Sequence, residues 1–86
     1  MPRFIAVHTM SMTEQQALEM FKSMPPLPSG VSWNLTYCDF AAGKFFCDWE
    51  APNKEIIEQG FKAQNLPYDA VYPVRIFNVA KGAFED

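Results

Sequence analysis

Long hydrophobic runs are missing from this 86-residue sequence. No stretch approaches the roughly 20 consecutive apolar residues that span a bilayer. Met1-Pro2-Arg3-Phe4-Ile5 leads straight into a strand pattern rather than into the apolar core of a secretory leader. The chain is therefore expected in the cytoplasm. Basic residues are also few: seven Lys and Arg stand against ten Asp and Glu, for a formal net charge of -3. Without a cationic cluster there is no electrostatic footprint for nucleic acid and nothing to draw the chain to an anionic membrane. Two cysteines, Cys38 and Cys47, make no disulfide framework. His8 is the sole histidine, so no HxH or HxxxH ligand pair exists. Repeats and low-complexity stretches are absent as well, and no motif identifies a reaction.

Aromatic residues, by contrast, are plentiful. Eight Phe, three Tyr and two Trp make up 15% of the chain. A domain this small has little interior in which to hide so much ring surface, and exposed apolar surface of that kind marks a contact with a partner. Closed two-fold pairs are the commonest oligomers, so a homodimer is expected.

Hydrophobic periodicity divides the chain into six elements. Strand one runs from Arg3 to Thr9. Helix one starts near Thr13, with Thr13 and Gln16 spaced as a capping box and Ser11 with Glu14 as the alternative. Its Ala17, Leu18, Phe21 and Met24 recur at helical spacing, and Pro25 and Pro26 stop it. Strand two is Val31 to Cys38, and a turn over Asp39 to Gly43 leads to strand three, Lys44 to Glu50. Asn53 is placed to cap helix two, whose inner stripe is Ile56, Ile57, Gly60, Phe61 and Gln64. Gly60 costs about 1 kcal/mol relative to Ala inside a helix and is read as allowing close approach to the sheet. Asn65 and Pro67 end the helix, strand four spans Ala70 to Phe77, and residues 79–86 form a tail. The order β-α-β-β-α-β predicts one α+β domain over 1–86 of ferredoxin-like type, with an antiparallel sheet ordered 4-1-3-2 and both helices on one face. Pro73 agrees with that order, because proline cannot donate to a ladder and the order puts strand four at an edge.

Strict alternation then sorts the side chains. Ile5, Val7, Trp33, Leu35, Tyr37, Phe45, Cys47, Trp49, Tyr72, Val74 and Ile76 are assigned to the helix side. Phe4, Ala6, His8, Asn34, Thr36, Cys38, Phe46, Asp48, Glu50, Val71, Pro73, Arg75 and Phe77 are assigned to the open side. On this register Cys38 and Cys47 lie on opposite faces, so no disulfide joins them. The open face mixes rings with ionisable groups, which fits a dimer interface, a ligand cavity or both. His8, Asp48, Glu50, Arg75, Phe4 and Phe46 are its candidate ligand-binding residues, with His8 the candidate metal ligand.

Each candidate has a structural alternative. His8 serves as a metal ligand or acid/base, or as a histidine hydrogen-bonded at a strand end. Asp48 and Glu50 form a carboxylate pair for acid/base work or cation binding, or an ion-pair cluster with Arg75. Cys38 offers a thiolate to a soft metal, but strand three separates it from His8 by roughly 9–10 Å, or it is a small filler near a turn. Trp33 and Trp49, with Met10, Met12, Met20 and Met24, read as core and helix–sheet packing.

The start Met1-Pro2-Arg3-Phe4-Ile5, the run Phe46-Cys47-Asp48-Trp49-Glu50-Ala51-Pro52 and the stretch Leu66 to Arg75 resemble a family of short bacterial proteins of unknown function. Some of its members are described as nickel-binding or nickel-responsive. The resemblance implies a ferredoxin-like subunit that dimerises through its sheet, and nickel as a cofactor. The proline-rich stretch Pro25 to Pro28 departs from many relatives and is placed to reshape a cavity mouth. Three functions are open: a non-enzymatic protein binding a metal or small ligand; a small cofactor-free enzyme of the dimeric α/β-barrel type, a monooxygenase or isomerase, resting on fold analogy; or a bare interaction module with no pocket.

Overall fold

A computed structural model describes residues 2–85. The elements run β1 (Arg3–Thr9), α1 (Glu14–Lys22), β2 (Ser32–Asp39), β3 (Lys44–Glu50), α2 (Lys54–Ala63), β4 (Ala70–Val74), β5 (Phe77–Asn78) and β6 (Ala83–Phe84). The first six are the predicted β-α-β-β-α-β series. All pairings in the main sheet are antiparallel and its order is β2-β3-β1-β4, the predicted 4-1-3-2. Pro73 sits on the edge strand β4, where one side has no neighbour and asks for no donor.

Local chemistry sets the helix ends. Thr13 and Gln16 close the capping box of α1: the Gln16 amide donates to Thr13 Oγ1 at 3.1 Å and the Thr13 amide to Gln16 Oε1 at 2.9 Å. Asn53 caps α2 by accepting from the Ile56 amide at 3.0 Å. At the far end Asn65 takes a left-handed conformation, φ 54°. The Leu66 amide reaches back to Phe61 O at 2.9 Å and the Asn65 amide to Lys62 O at 3.1 Å. That pattern is a Schellman motif with asparagine in place of the usual glycine.

The core lies between the sheet and α2. Phe4, Ala6, Cys47, Trp49, Ala51, Ile57, Phe61 and Val71 form one buried cluster. Its rings interlock: Trp33 stacks on Trp49 at 5.8 Å, and Phe61 meets Trp49 edge-on at 5.6 Å, a geometry favoured by the ring quadrupoles.

The faces of the sheet correct the simple alternation in three strands. Residues opposite each other in an antiparallel pair share a face. On β3 the expected row Phe45, Cys47 and Trp49 does point at the helices, and all three are buried. Phe4 pairs with Trp49, Ala6 with Cys47 and His8 with Phe45, so these β1 residues lie beneath the helices, and Ile5 and Val7 take the open side. On β4, Val71 and Pro73 follow Ala6 and Phe4, leaving Tyr72 on the open side with Ile5. On β2 a bulge between Trp33 and Leu35 inserts one residue and reverses the alternation beyond it. Leu35 and Tyr37 therefore turn to the open face, and Thr36 and Cys38 join the helix side. Strands one and four carry apolar residues on both faces, so alternation alone gives them no direction. Cys38 and Cys47 share a face after all, yet both are free thiols.

Beyond Val74 the chain leaves the sheet. Where the sequence reading continues strand four to Phe77 and then a tail, β5 and β6 make a small hairpin, with Phe77 opposite Phe84 and their rings 5.2 Å apart.

Two glycines test this backbone. Gly43 has φ +67°, and a Cβ there would stand 3.0 Å from Met10 O. Gly60 has nothing within 4 Å of its would-be Cβ, so close helix–sheet approach does not explain it. Gly43→Ala is expected to lower stability by about 1–3 kcal/mol, and Gly60→Ala to raise it by roughly 0.5–1 kcal/mol, both read from urea unfolding.

Candidate functional site

His8 is 4% exposed and sits under α2. Its ring meets Phe61 edge-on at 4.9 Å, and Nδ1 lies 2.8 Å from the carbonyl oxygen of Pro67. A carbonyl only accepts, so Nδ1 carries a proton, and in the neutral tautomer that makes this bond the lone pair is on Nε2. The helix end builds this contact. The Schellman turn directs residues 66–69 back over β1, and the Asp69 amide fastens them there by donating to Val7 O at 2.7 Å. A histidine whose second nitrogen is held by a carbonyl is oriented for ligation.

Beside His8 lies a cavity of about 20 Å³. That volume holds one water or one ion, since a single water needs roughly 10–15 Å³. It is far below the roughly 300–1,000 Å³ of organic-ligand pockets. Around it stand Cys47 and the methionines Met10, Met12, Met20 and Met24, with aromatic rings, Trp33 and Trp49 among them, closing the rest of the wall. Burial pushes the Cys47 thiol up from its ordinary value, and the hydrogen bond from Thr36 offsets part of that. Thr36 Oγ1 stands 3.3 Å from Cys47 Sγ and itself accepts from Trp33 Nε1 at 2.7 Å. Trp49 Nε1 is buried and has no hydrogen-bond partner among the described residues.

The open face carries a different constellation. Arg3 Nη2 and Nε reach the two oxygens of Asp48 at 2.5 and 3.2 Å, a bidentate pair of the strong, geometrically selective kind. Glu50 is more distant from Arg3, at 3.9 Å. Hydrogen bonding to Asp48 raises the already high Arg3 pKa further. Asp48 is only 7% exposed, whereas Phe46 on the same face is partly open. Arg75 lies past the end of β4 and stacks over the Phe84 ring, 4.3 Å from guanidinium carbon to centroid.

The six candidate residues thus fall into three places. His8 and Phe4 are under the helices, Asp48, Glu50 and Phe46 are on the open face, and Arg75 is at the hairpin. The cation on Asp48 is Arg3, which the sequence reading did not name. The ring of sulfur around His8 was also missed, because each methionine fits helix–sheet packing. Its signal is the spacing His8-x-Met10-x-Met12, with Met20 and Met24 four apart. A second hollow, of about 390 Å³, runs between α2 and the stretch Pro25 to Pro28. The prolines do wall a groove, but an apolar one without ionisable groups.

The model of a nickel responsive protein family, SCO4226-like, matches residues 2–74. The chain belongs to the SCO4226-like family. No curated protein matches it. The crystal structure of SCO4226 from Streptomyces coelicolor A3(2) superposes with a TM-score of 0.63, at 21% identity, over 84% of this chain and 94% of that one, which bears on the fold. His8, Cys47, the four methionines and Asp48 all lie within the span matched to the SCO4226-like model, and the hairpin of β5 and β6 lies beyond it.

Because Asp48 is held in a nearly buried bidentate pair and Glu50 only by an exposed bond from Asn34 at 3.2 Å and a distant Arg3, their removal should differ. Asp48→Ala is expected to cost roughly 1.5–3 kcal/mol, the range for a hydrogen-bonded charge left without its partner. Glu50→Ala should stay within about 1 kcal/mol. Urea unfolding of both variants at neutral pH checks the contrast.

Proposed function

We propose that this SCO4226-like chain is a homodimeric binding protein that seats a single metal ion, or a species of that size, against His8 beneath its helices. The observation that carries the reading is the pairing of a tautomer-fixed imidazole with a cavity of about 20 Å³. Such a volume gives an organic substrate no room. The apolar groove by the prolines offers no acid, base or nucleophile. The His8 cavity thus supports an ion-binding reading over a cofactor-free enzyme built around His8.

Nickel is the ion named in the family's description. Nickel(II) suits imidazole and harder donors, and here it would find one nitrogen, His8 Nε2. Among the described residues no three His, Cys, Asp or Glu side chains gather as a metal site. One subunit therefore does not supply a full nickel shell. Calorimetric titration with nickel is expected to show weak binding in the wild type that is lost in His8→Ala. Equal heats from both proteins would remove His8 from the role.

Support for the homodimer comes from the open face. Leu35, Tyr37 and Tyr72 are 55%, 62% and 56% exposed there, around the neutralised Arg3–Asp48 pair. An apolar patch with its central charges already paired is suited to cover a second copy of itself. No helix of the described residues is long and apolar enough to cross a membrane. A cytoplasmic location fits the two free thiols and remains part of the proposal. Light scattering should give twice the 9.8 kDa chain mass, and Tyr37→Glu with Tyr72→Glu should halve it. A wild-type protein of single-chain mass would defeat the dimer.

A further inference from the structure

We infer that the His8 cavity is a site for a soft monovalent cation, copper(I) or its redox-inert surrogate silver(I), held by His8 Nε2, Cys47 Sγ and methionine thioethers. This rests on reading the His8 cavity as the binding site, and it replaces the nickel expectation with an ion that suits the donors present.

Four of the five methionines, the sole histidine and the buried cysteine meet at one wall. Thioether and thiolate sulfur select copper(I) over nickel(II). Methionine is also a common filler of irregular cores, but a filler is buried. Met10, Met12, Met20 and Met24 are all half-buried and none belongs to the buried cluster, as suits ligands at the rim of a site. His8 and Cys47 are in reach of one another. His8 is opposite Phe45, and Cys47 stands two residues further along β3 on the same face, a diagonal of roughly 7–8 Å, and both line the one cavity. Cys38, by contrast, is on β2, with β3 between it and His8.

Charge points the same way. No carboxylate lines the cavity, so a divalent ion would bring two positive charges into an apolar wall. A monovalent ion needs only one thiolate. As the S–Cu bond forms, the S–H bond of Cys47 breaks and its proton passes to the solvent, leaving a neutral site with no change of oxidation state. The Thr36 hydroxyl, 3.3 Å from Sγ, stabilises the thiolate so produced. The stacked Trp33 and Trp49 rings beside the cavity supply a π face to the cation and a fluorescence signal.

Titration of the full chain with silver(I), and anaerobically with copper(I) against a chromophoric chelator, tests the inference through tryptophan fluorescence. One ion per chain and strong quenching are expected, with nickel at least about 100-fold weaker. Met10→Leu with Met12→Leu conserves volume and should weaken silver binding by about tenfold or more while circular dichroism stays unchanged. Cys47→Ser should do the same, and Cys38→Ser should have no effect. Silver affinity unmoved by the methionine pair, or abolished by Cys38→Ser, overturns the inference, as does a silver-insensitive fluorescence that leaves a lone water as the cavity's occupant. Silver binding without any nickel response would defeat the nickel expectation alone. Nickel binding through His8 without silver binding would defeat this inference and leave the His8 site standing.

Discussion

In an antiparallel sheet a strand in the middle has no freedom to choose its faces once one neighbour has chosen. Here β3 chooses. Its Phe45 and Trp49 are large and apolar, and with Cys47 between them they are buried against the helices. Every residue opposite them on β1 must look the same way. That constraint carries Phe4, Ala6 and His8 into the interior, and through Ala6 it sends Val71 of β4 after them, while Pro73 opposite Phe4 takes the same face but stays exposed. The core, the histidine's surroundings and the composition of the exposed face all descend from it.

Much of the fold is legible in the residues themselves. The Thr13–Gln16 box, the Asn53 cap and the Pro73 edge strand are local chemistry, readable without knowing what packs where. The faces are not local. Strand one reads Phe4-Ile5-Ala6-Val7, apolar in either orientation, so its direction is settled by partners far along the chain, Phe46 to Trp49. The bulge at Asn34 is hidden for a similar reason. It lets Trp33 lie on Trp49 and also Thr36 reach Cys47, a compromise visible only when both strands are paired.

The candidate site was half legible. The sequence singles out His8 as its sole histidine, but alternation puts it on the wrong face and its methionine neighbours read as packing. Methionine is the reason: its shape suits a core and its sulfur suits a metal, and spacing alone does not separate the two. The split also divides the molecule into two functional surfaces. A chain dimerised through its open face would keep the His8 cavity on the outer, helix-bearing side, so a second copy would bring no ligand to it. In such a dimer each subunit's cavity would have to be complete by itself, and the donor set within one chain would decide the chemistry.

Consider finally where α2 stops. Asn65 turns the chain so that Pro67 offers its carbonyl to His8, and that oxygen decides which ring nitrogen bears hydrogen. Fraying of the last helical turn would withdraw the oxygen and let the imidazole beside the cavity rotate and exchange tautomers. Occupancy in turn would make melting of that turn costlier. A helix terminus far along the sequence thereby acts as the latch on a histidine eight residues from the start.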